Sequence, residues 1–336
     1  MAEPKRMLAF GTYPTPVLYL EQLSTAKASL WVKRDDLTSP VYGGSKLRKL
    51  GPLLSDAKQR GATQLVTVGA LGSHHVLATG VFGKVVGLSL EALVLPRPAS
   101  RHVLETARAS IGQGVRLTPA ASYTEAAQKL ALRAAAGAYS IPAGGSNLLG
   151  TRGLLAAGAE LSAQVRAGLL PEPDLIVLAL GSGGTAAGLA AGVLQAGLKT
   201  RVLAIAVAEP VKVFEHQAHA LARALTPHAS RAELAPRRGS PSAQARLEVN
   251  RGYLGDGYGH ATRASEQATR EAARVGLMLD ETYTGKAFAA ALDRIALGNE
   301  RQILFWHTLS SAKIGPLLTL APEEHELPSE LRRLAY

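Results

Sequence analysis

Residues 175–198 read LIVLALGSGGTAAGLAAGVLQAGL, without a single charge. An apolar run of that length invites a membrane-spanning helix. GSGG, however, breaks it in the middle. The part before the break is β-branched and strand-like; the part after it is rich in Ala and Leu and helix-like. The stretch therefore reads as a buried strand, a glycine turn and a buried helix. The same succession runs through most of the chain. QLVTVG (64–69) leads into SHHVLATGVFGKVVG, EALVLP (91–96) into SRHVLETARAS, and GVRLTP (114–119) into SYTEAAQKLALRAAAG. RVLAIAV (201–207) and QILFWHT (302–308) are two more strands. Such alternation predicts an α/β fold with parallel sheets flanked by helices. At 336 residues the chain suits two packed lobes better than one core. PHASRAELAPRRGSPSAQ (227–244) and NRGYLGDGYGHAT (250–262) interrupt the alternation as long loops, before RASEQATREAARVG resumes a helix that ends in glycine.

Composition narrows the chemistry. There are no cysteines, so disulfides, cysteine metal sites and cysteine nucleophiles are excluded. A reducing, cytoplasmic setting is expected, since MAEPKRMLAFGTYPTP has no apolar run long enough for a signal peptide. The formal net charge of +11 makes a field that attracts anions. Yet the arginines are scattered, and the densest basic stretch, PRRGSPSAQARLEVNRG, is Pro/Gly/Ser-rich like an exposed connection. A basic surface is expected, with neither nucleic acid nor membrane as partner.

In LIVLALGSGGTAAGL the glycines let backbone N–H groups approach an anion, and the following helix adds the positive end of its dipole. Ser182 and Thr185 add hydroxyls. A phosphate-bearing ligand fits, but the loop leaves its identity open. Gly181, Gly183 and Ala186 also satisfy a loose dinucleotide-binding pattern, with Glu209 after the next strand as the acid for a ribose. A dinucleotide oxidoreductase is thus a rival reading.

A second cluster stands at YGGSKLRKL (42–50). Ser45 is a good N-cap for a helix starting at Lys46. Leu47, Leu50 and Leu54 would be its buried stripe. Lys46 and Lys49, three apart, share a neighbouring face. Together they suit one anionic ligand, with one lysine free to form a Schiff base and the other to hold a phosphate. A solvated basic turn explains the spacing equally well. Arg48, about a hundred degrees round from each lysine, reads as a surface charge.

Five motifs in order bear on that choice: TPVLYLEQLS, VKRDDLTSPVYGGSKLRKL, VTVGALGSHHVLA, IPAGGSNLLGTRG and LDETYTGKAFAAAL. Taken together they resemble the 1-aminocyclopropane-1-carboxylate deaminase / D-cysteine desulfhydrase family of pyridoxal-phosphate enzymes, over nearly the whole chain. The resemblance implies a two-domain fold of type II, like the β chain of tryptophan synthase. Residues 1–50 plus 156–336 would form a large cofactor-binding domain and 51–155 a small α/β domain. It also implies a homodimer. Carried over by position, Lys46 would join pyridoxal 5'-phosphate as a Schiff base and move the Cα proton. Lys49 would lie near the phosphate, and Gly181, Ser182, Gly183, Gly184 and Thr185 would cradle it. Ser73 would touch the substrate carboxylate, Tyr283 would be a second acid/base group, and Thr284 would face the pyridine nitrogen.

The deaminases of this family carry a glutamate where this chain has Thr284, as the desulfhydrases do. A hydroxyl cannot keep the pyridine nitrogen charged as an acid can. A weaker electron sink suits α,β-elimination, so D-cysteine, yielding pyruvate, ammonia and sulfide, is the leading substrate. Deamination of the cyclopropane amino acid, or action on another amino acid, is the alternative. Four positions depart from the pattern. Ser45 replaces an asparagine, Gly72 a glutamine, His74 an asparagine that would donate to the cofactor's phenolic oxygen, and Leu309 a glycine. A neutral imidazole at His74 can still donate one hydrogen bond. His74 and His75 do not make a metal site, because adjacent side chains at a helix start diverge and no third ligand is evident; His75 has a packing role.

Overall fold

A computed structural model gives the structure, which describes residues 8, 10–226 and 246–335. The expected loop at 227–244 lies outside them. Two sheets organise the chain. The larger is built from β1 (Val17–Tyr19), β2 (Ser29–Lys33), β7 (Leu175–Leu180), β8 (Arg201–Ala206), β9 (Leu247–Asn250) and β10 (Gln302–Trp306). Its order is β1-β2-β10-β7-β8-β9. The smaller sheet holds β3 (Gln64–Ala70), β4 (Ser89–Leu95), β5 (Val115–Pro119) and β6 (Tyr139–Ile141), in the order β5-β4-β3-β6. Neighbouring strands run parallel except β1, which pairs antiparallel with β2 at the edge. β1, β6 and β9 have only three, three and four residues, too short for a periodic pattern to announce them.

Helices cover the sheets: α1 (Lys46–Gln59), α2 (His74–Val85), α3 (Arg101–Gly112), α4 (Tyr123–Ala135), α5 (Leu148–Arg166), α6 (Gly184–Gln195), α7 (Val211–Leu225), α8 (Arg263–Arg274) and α9 (Thr284–Leu297). The two-residue period of the central strands divides the large core in two. Leu175, Val177, Ile303 and Phe305 face Phe288 and the alanines of α9. Ile176, Leu178, Leu304 and Trp306 face Leu154, Leu161 and Leu189 on α5 and α6. Each such side chain, fully buried, contributes about 1.5–3 kcal/mol. The charge-free stretch is thus β7, a turn and α6, and among the described residues no helix is long and apolar enough to cross a membrane. The predicted stripe Leu47, Leu50 and Leu54 is buried in the core of the smaller sheet, which also takes in Leu317, Leu331 and Leu334 near the C-terminus.

Two readings of the KLRKL turn are corrected. Arg48 is not a surface charge: it is 6% exposed. Its Nε and Nη2 donate to the two carboxylate oxygens of Asp35 at 2.9 and 2.7 Å, and Nη1 to Glu160 at 2.9 Å. Lys33, fully buried, joins the same network through Glu160 at 2.5 Å and Gln164 at 2.8 Å. Ser45 likewise does not cap α1 with its side chain. Its own dihedrals are already helical, and its hydroxyl donates instead to Asp35 at 2.7 Å. Trp306 Nε1 donates to that same Asp35 oxygen at 2.8 Å. One buried carboxylate therefore ties the first turn of α1 to β10. Burial alone would raise the Asp35 pKa, but Arg48 and the Trp306 and Ser45 donors outweigh it and bring it to about 2.

Candidate active site

A cavity opens at the carboxyl ends of strands from both sheets, where parallel α/β sheets place their ligands. Ala70 ends β3 there, Gly181 follows β7, Ala208 follows β8 and Thr308 follows β10. Lys46, Lys49, Ser73, His74, Gly181, Ser182, Gly183, Thr185, Tyr283 and Thr284 all line it. Of the residues chosen from sequence only Gly184 stands behind the wall, as the first residue of α6.

On one side the cavity is built for an anion. Gly183 has φ +85°, the left-handed conformation that favours glycine, and it enters α6 with no side-chain cap. Ser146, from the AGGSN turn, accepts from Lys49 Nζ at 3.3 Å and from the Gly184 N–H at 3.2 Å. Its hydroxyl lies 2.8 Å from that of Ser182. A lysine, two hydroxyls and the open end of a helix thus converge. Burial, and then the neighbouring Lys46 charge, hold Lys49 well below the usual lysine range. Lys46 is lowered too, by burial, with the Asp280 carboxylate opposing. Neither lysine forms an ion pair among the described residues.

Across the cavity, Asp280 organises the entry to α9. Its carboxylate accepts from the Tyr283 N–H at 2.8 Å, the Thr284 N–H at 3.0 Å and the Thr284 hydroxyl at 2.7 Å. The Asp280 N–H donates back to Thr284 Oγ1 at 2.9 Å. Those donors outweigh the burial that would raise Asp280 and hold its carboxyl below the usual range. Thr284 therefore presents a hydroxyl already oriented by an anion. Tyr283 donates to the Tyr258 hydroxyl at 2.6 Å. Burial, followed by Tyr258, pushes the Tyr283 pKa well above its ordinary value, so it stays protonated. Arg97 lies over the Tyr258 ring, 4.9 Å from its centre.

The third wall is the start of α2. Ser73 is its N-cap, accepting from the His75 N–H at 3.2 Å, which leaves the hydroxyl proton for a ligand. His75 Nε2 pairs with Thr67 at 2.9 Å. Both ring nitrogens of His74 are engaged, Nδ1 by Tyr42 at 2.5 Å and Nε2 by His102 at 2.9 Å. Donation from His74 to a cofactor would compete with these bonds. Leu309 lines the cavity beside Thr308 and Ser310.

Sequence reasoning assigned no role to Tyr42, Ser146, Tyr258 or Asp280. Three of them lay in motifs it quoted, and Tyr258 lay in a stretch it read only as a loop. His102 carried no signal, since its partner is 28 residues away.

A model of the pyridoxal-phosphate dependent enzymes matches residues 8–308. The chain belongs to that family. It is 34% identical over 312 residues to a D-cysteine desulfhydrase of Klebsiella pneumoniae (strain 342), covering 88% of this chain and 91% of the relative. An ACC deaminase homologue of known crystal structure superposes with a TM-score of 0.76 at 30% identity, covering 94% of this chain and 96% of its own. Threonine deaminase isoform 2 from Solanum lycopersicum shares the fold at 17% identity, with a TM-score of 0.62 over 91% and 82% of the two chains. The dinucleotide reading of the glycine loop is thereby set aside. Pyridoxal phosphate is the family's cofactor, and the site fits it. The N-terminus of α6, whose first N–H meets the Ser146 hydroxyl, and buried Lys49, which forms no ion pair among the described residues, answer a phosphate. Lys46, lowered by burial with the Asp280 carboxylate opposing, answers an aldehyde.

Proposed function

We propose that this pyridoxal-phosphate enzyme carries out α,β-elimination on a small amino acid, with D-cysteine as the leading substrate and pyruvate, ammonia and sulfide as products. One observation carries the reading: the residue after Tyr283 is an uncharged threonine, in a cavity whose two lysines, Lys46 and Lys49, form no ion pair among the described residues. When bound, the cofactor supplies an electron sink for the bonds at Cα. The chain supplies the rest. Lys49, Ser182, Thr185 and the N–H groups at the start of α6 would hold the phosphate, with Gly181, Gly183 and Gly184 shaping the turn; a Cβ would meet Ala218 at Gly183 and Ser146 at Gly184. Ser73 donates to the substrate carboxylate. Lys46, which burial shifts toward its neutral form, takes the Cα proton. Tyr283, kept protonated, delivers a proton to the departing sulfur, and Tyr258 orients it. Thr284 would face the ring nitrogen with an uncharged group; its hydroxyl proton is held by Asp280 at 2.7 Å, so donation to the nitrogen requires that bond to open.

Purified protein incubated with D-cysteine and, separately, with 1-aminocyclopropane-1-carboxylate tests this. Sulfide and pyruvate are expected from the first. Ketobutyrate from the second, with no sulfide from the first, would make the chain a deaminase. That alternative draws on the likeness to the ACC deaminase homologue.

Three coarser proposals accompany it. Residues 51–155 form the small domain against 1–50 plus 156–336, supported by a second sheet lying wholly within Gln64–Ile141. The protein is a homodimer, to be checked by light scattering, and works in the cytoplasm, to be checked by fractionation. Both rest on the family likeness.

A further inference from the structure

Three rings are hydrogen-bonded in succession from the cavity to the surface. Tyr42 is buried and lines the cavity. Its hydroxyl lies 2.5 Å from His74 Nδ1, and His74 Nε2 lies 2.9 Å from Nε2 of His102. His102, on α3, is exposed. A nitrogen–nitrogen contact of that length requires one ring to donate and the other to accept. Two arrangements satisfy every contact. In one, Tyr42 donates to His74, His74 donates through Nε2 to His102, and His102 carries its proton on Nδ1. In the other both hydrogen bonds point the opposite way, and the Tyr42 proton turns to the cavity.

We propose that Tyr42, His74 and His102 form a proton path between the cavity and solvent, with His102 acting through His74 as its outer, positioning member. The two arrangements are the states before and after one passage. When the cavity delivers a proton to Tyr42, the phenol's own proton passes to His74 Nδ1. The Nε2 proton of His74 passes to His102 Nε2, and the Nδ1 proton of His102 leaves to water. One proton enters, one leaves, and no charge is left behind. The path deepens the elimination reading and rests on it. Elimination removes a proton at Cα and adds one at sulfur, and the groups that take and give those protons must be reset against solvent.

The surroundings support the neutral state that the path needs. His74 faces Asp280, Lys46 and Arg97 besides His102. His102 faces Asp280, Arg97 and Glu105, and Tyr42 faces Asp280. Burial dominates at His74 and brings it to about 3; His102 is also lowered, by the side of its ring that packs against the protein. Each ring then donates at one nitrogen and accepts at the other. The path also links two of the departures from the family pattern. Gly72 has φ +71°, and a Cβ there would lie 2.6 Å from the Val103 carbonyl oxygen. The backbone of α3 therefore occupies the space a side chain at 72 would need. That close approach brings the neighbouring His102 within reach of His74.

The test uses holoenzyme, wild type and the variants His102→Ala and His102→Gln. The expected result is a roughly tenfold fall in kcat for D-cysteine in both variants, with KM unchanged, an altered pH profile and partial rescue of the alanine variant by imidazole. Glutamine can hydrogen-bond to His74 but cannot relay a proton, so full activity in His102→Gln would overturn the path. So would unchanged kcat in His102→Ala, or a loss that imidazole does not mend. Nitrogen-15 NMR of the histidine rings, without substrate, separates this from the substrate assignment. A proton shared between the two Nε2 atoms in wild type, with His74 shifted in His102→Ala, supports the path even if D-cysteine is not turned over. Its absence would overturn the path whatever the substrate.

Discussion

One turn of α1 carries three cations with two opposite fates. Arg48 points into a network where Asp35 and Glu160 meet it oxygen for nitrogen. Its pKa is raised despite burial, because Asp35 and Glu160 compensate. Lys46 and Lys49 point into the cavity, have no ion pair among the described residues, and are both lowered by burial. A buried charge that meets its partner within the fold positions the chain. A buried charge left without one is held for something that has yet to arrive. The distinction separates scaffold from site within four residues.

The sharpest way to break the comparison is Lys46→Ala. Activity should fall by about a thousandfold or more, and the visible absorbance of the lysine-bound cofactor should disappear. A variant with the wild-type spectrum would refute the role given to Lys46. Next comes Arg48→Leu, which strands Asp35 and Glu160 in the interior. Removing one member of a buried pair typically costs about 3–5 kcal/mol, so chemical denaturation should show a large loss of stability. Lys49→Met should do the reverse. Weakening a charge-assisted contact to phosphate is worth roughly 1.5–3 kcal/mol, or about ten- to a hundredfold in cofactor affinity by equilibrium dialysis. The apoprotein, relieved of an unpaired buried cation, should melt no lower than wild type.

The smallest effect is pH dependence. Asp35 titrates at about 2 in the folded chain against 3.8 in its absence. Its share of stability is therefore complete above about pH 4 and is lost as pH falls toward 2. The gap corresponds to roughly 2 kcal/mol, and Glu160, also lowered, works in the same direction. Denaturant midpoints measured between pH 5 and 2 should fall accordingly in wild type, and less steeply in Asp35→Asn.

How much of this is legible in the chain depends on distance along it. β7, the glycine turn and α6 are legible because strand, breaker and helix are contiguous and each has its own pattern. The stripe on α1 is legible for the same reason. Ser45 misleads because capping chemistry looks the same in sequence whether the hydroxyl turns to its own helix or to Asp35. Arg48 misleads because its partners lie 13 and 112 residues away. Tyr258 is hidden in a loop whose glycines and tyrosines have no period.

Local pattern determined the α/β class, the glycine loop and the pair of lysines, since helix and strand periods and turn chemistry act over a few residues. The motif order determined the family. Tertiary structure alone decided which cations are compensated and which are not. Burial and pairing depend on carboxylates, rings and strand ends that distant parts of the chain bring together, and no spacing within YGGSKLRKL encodes them.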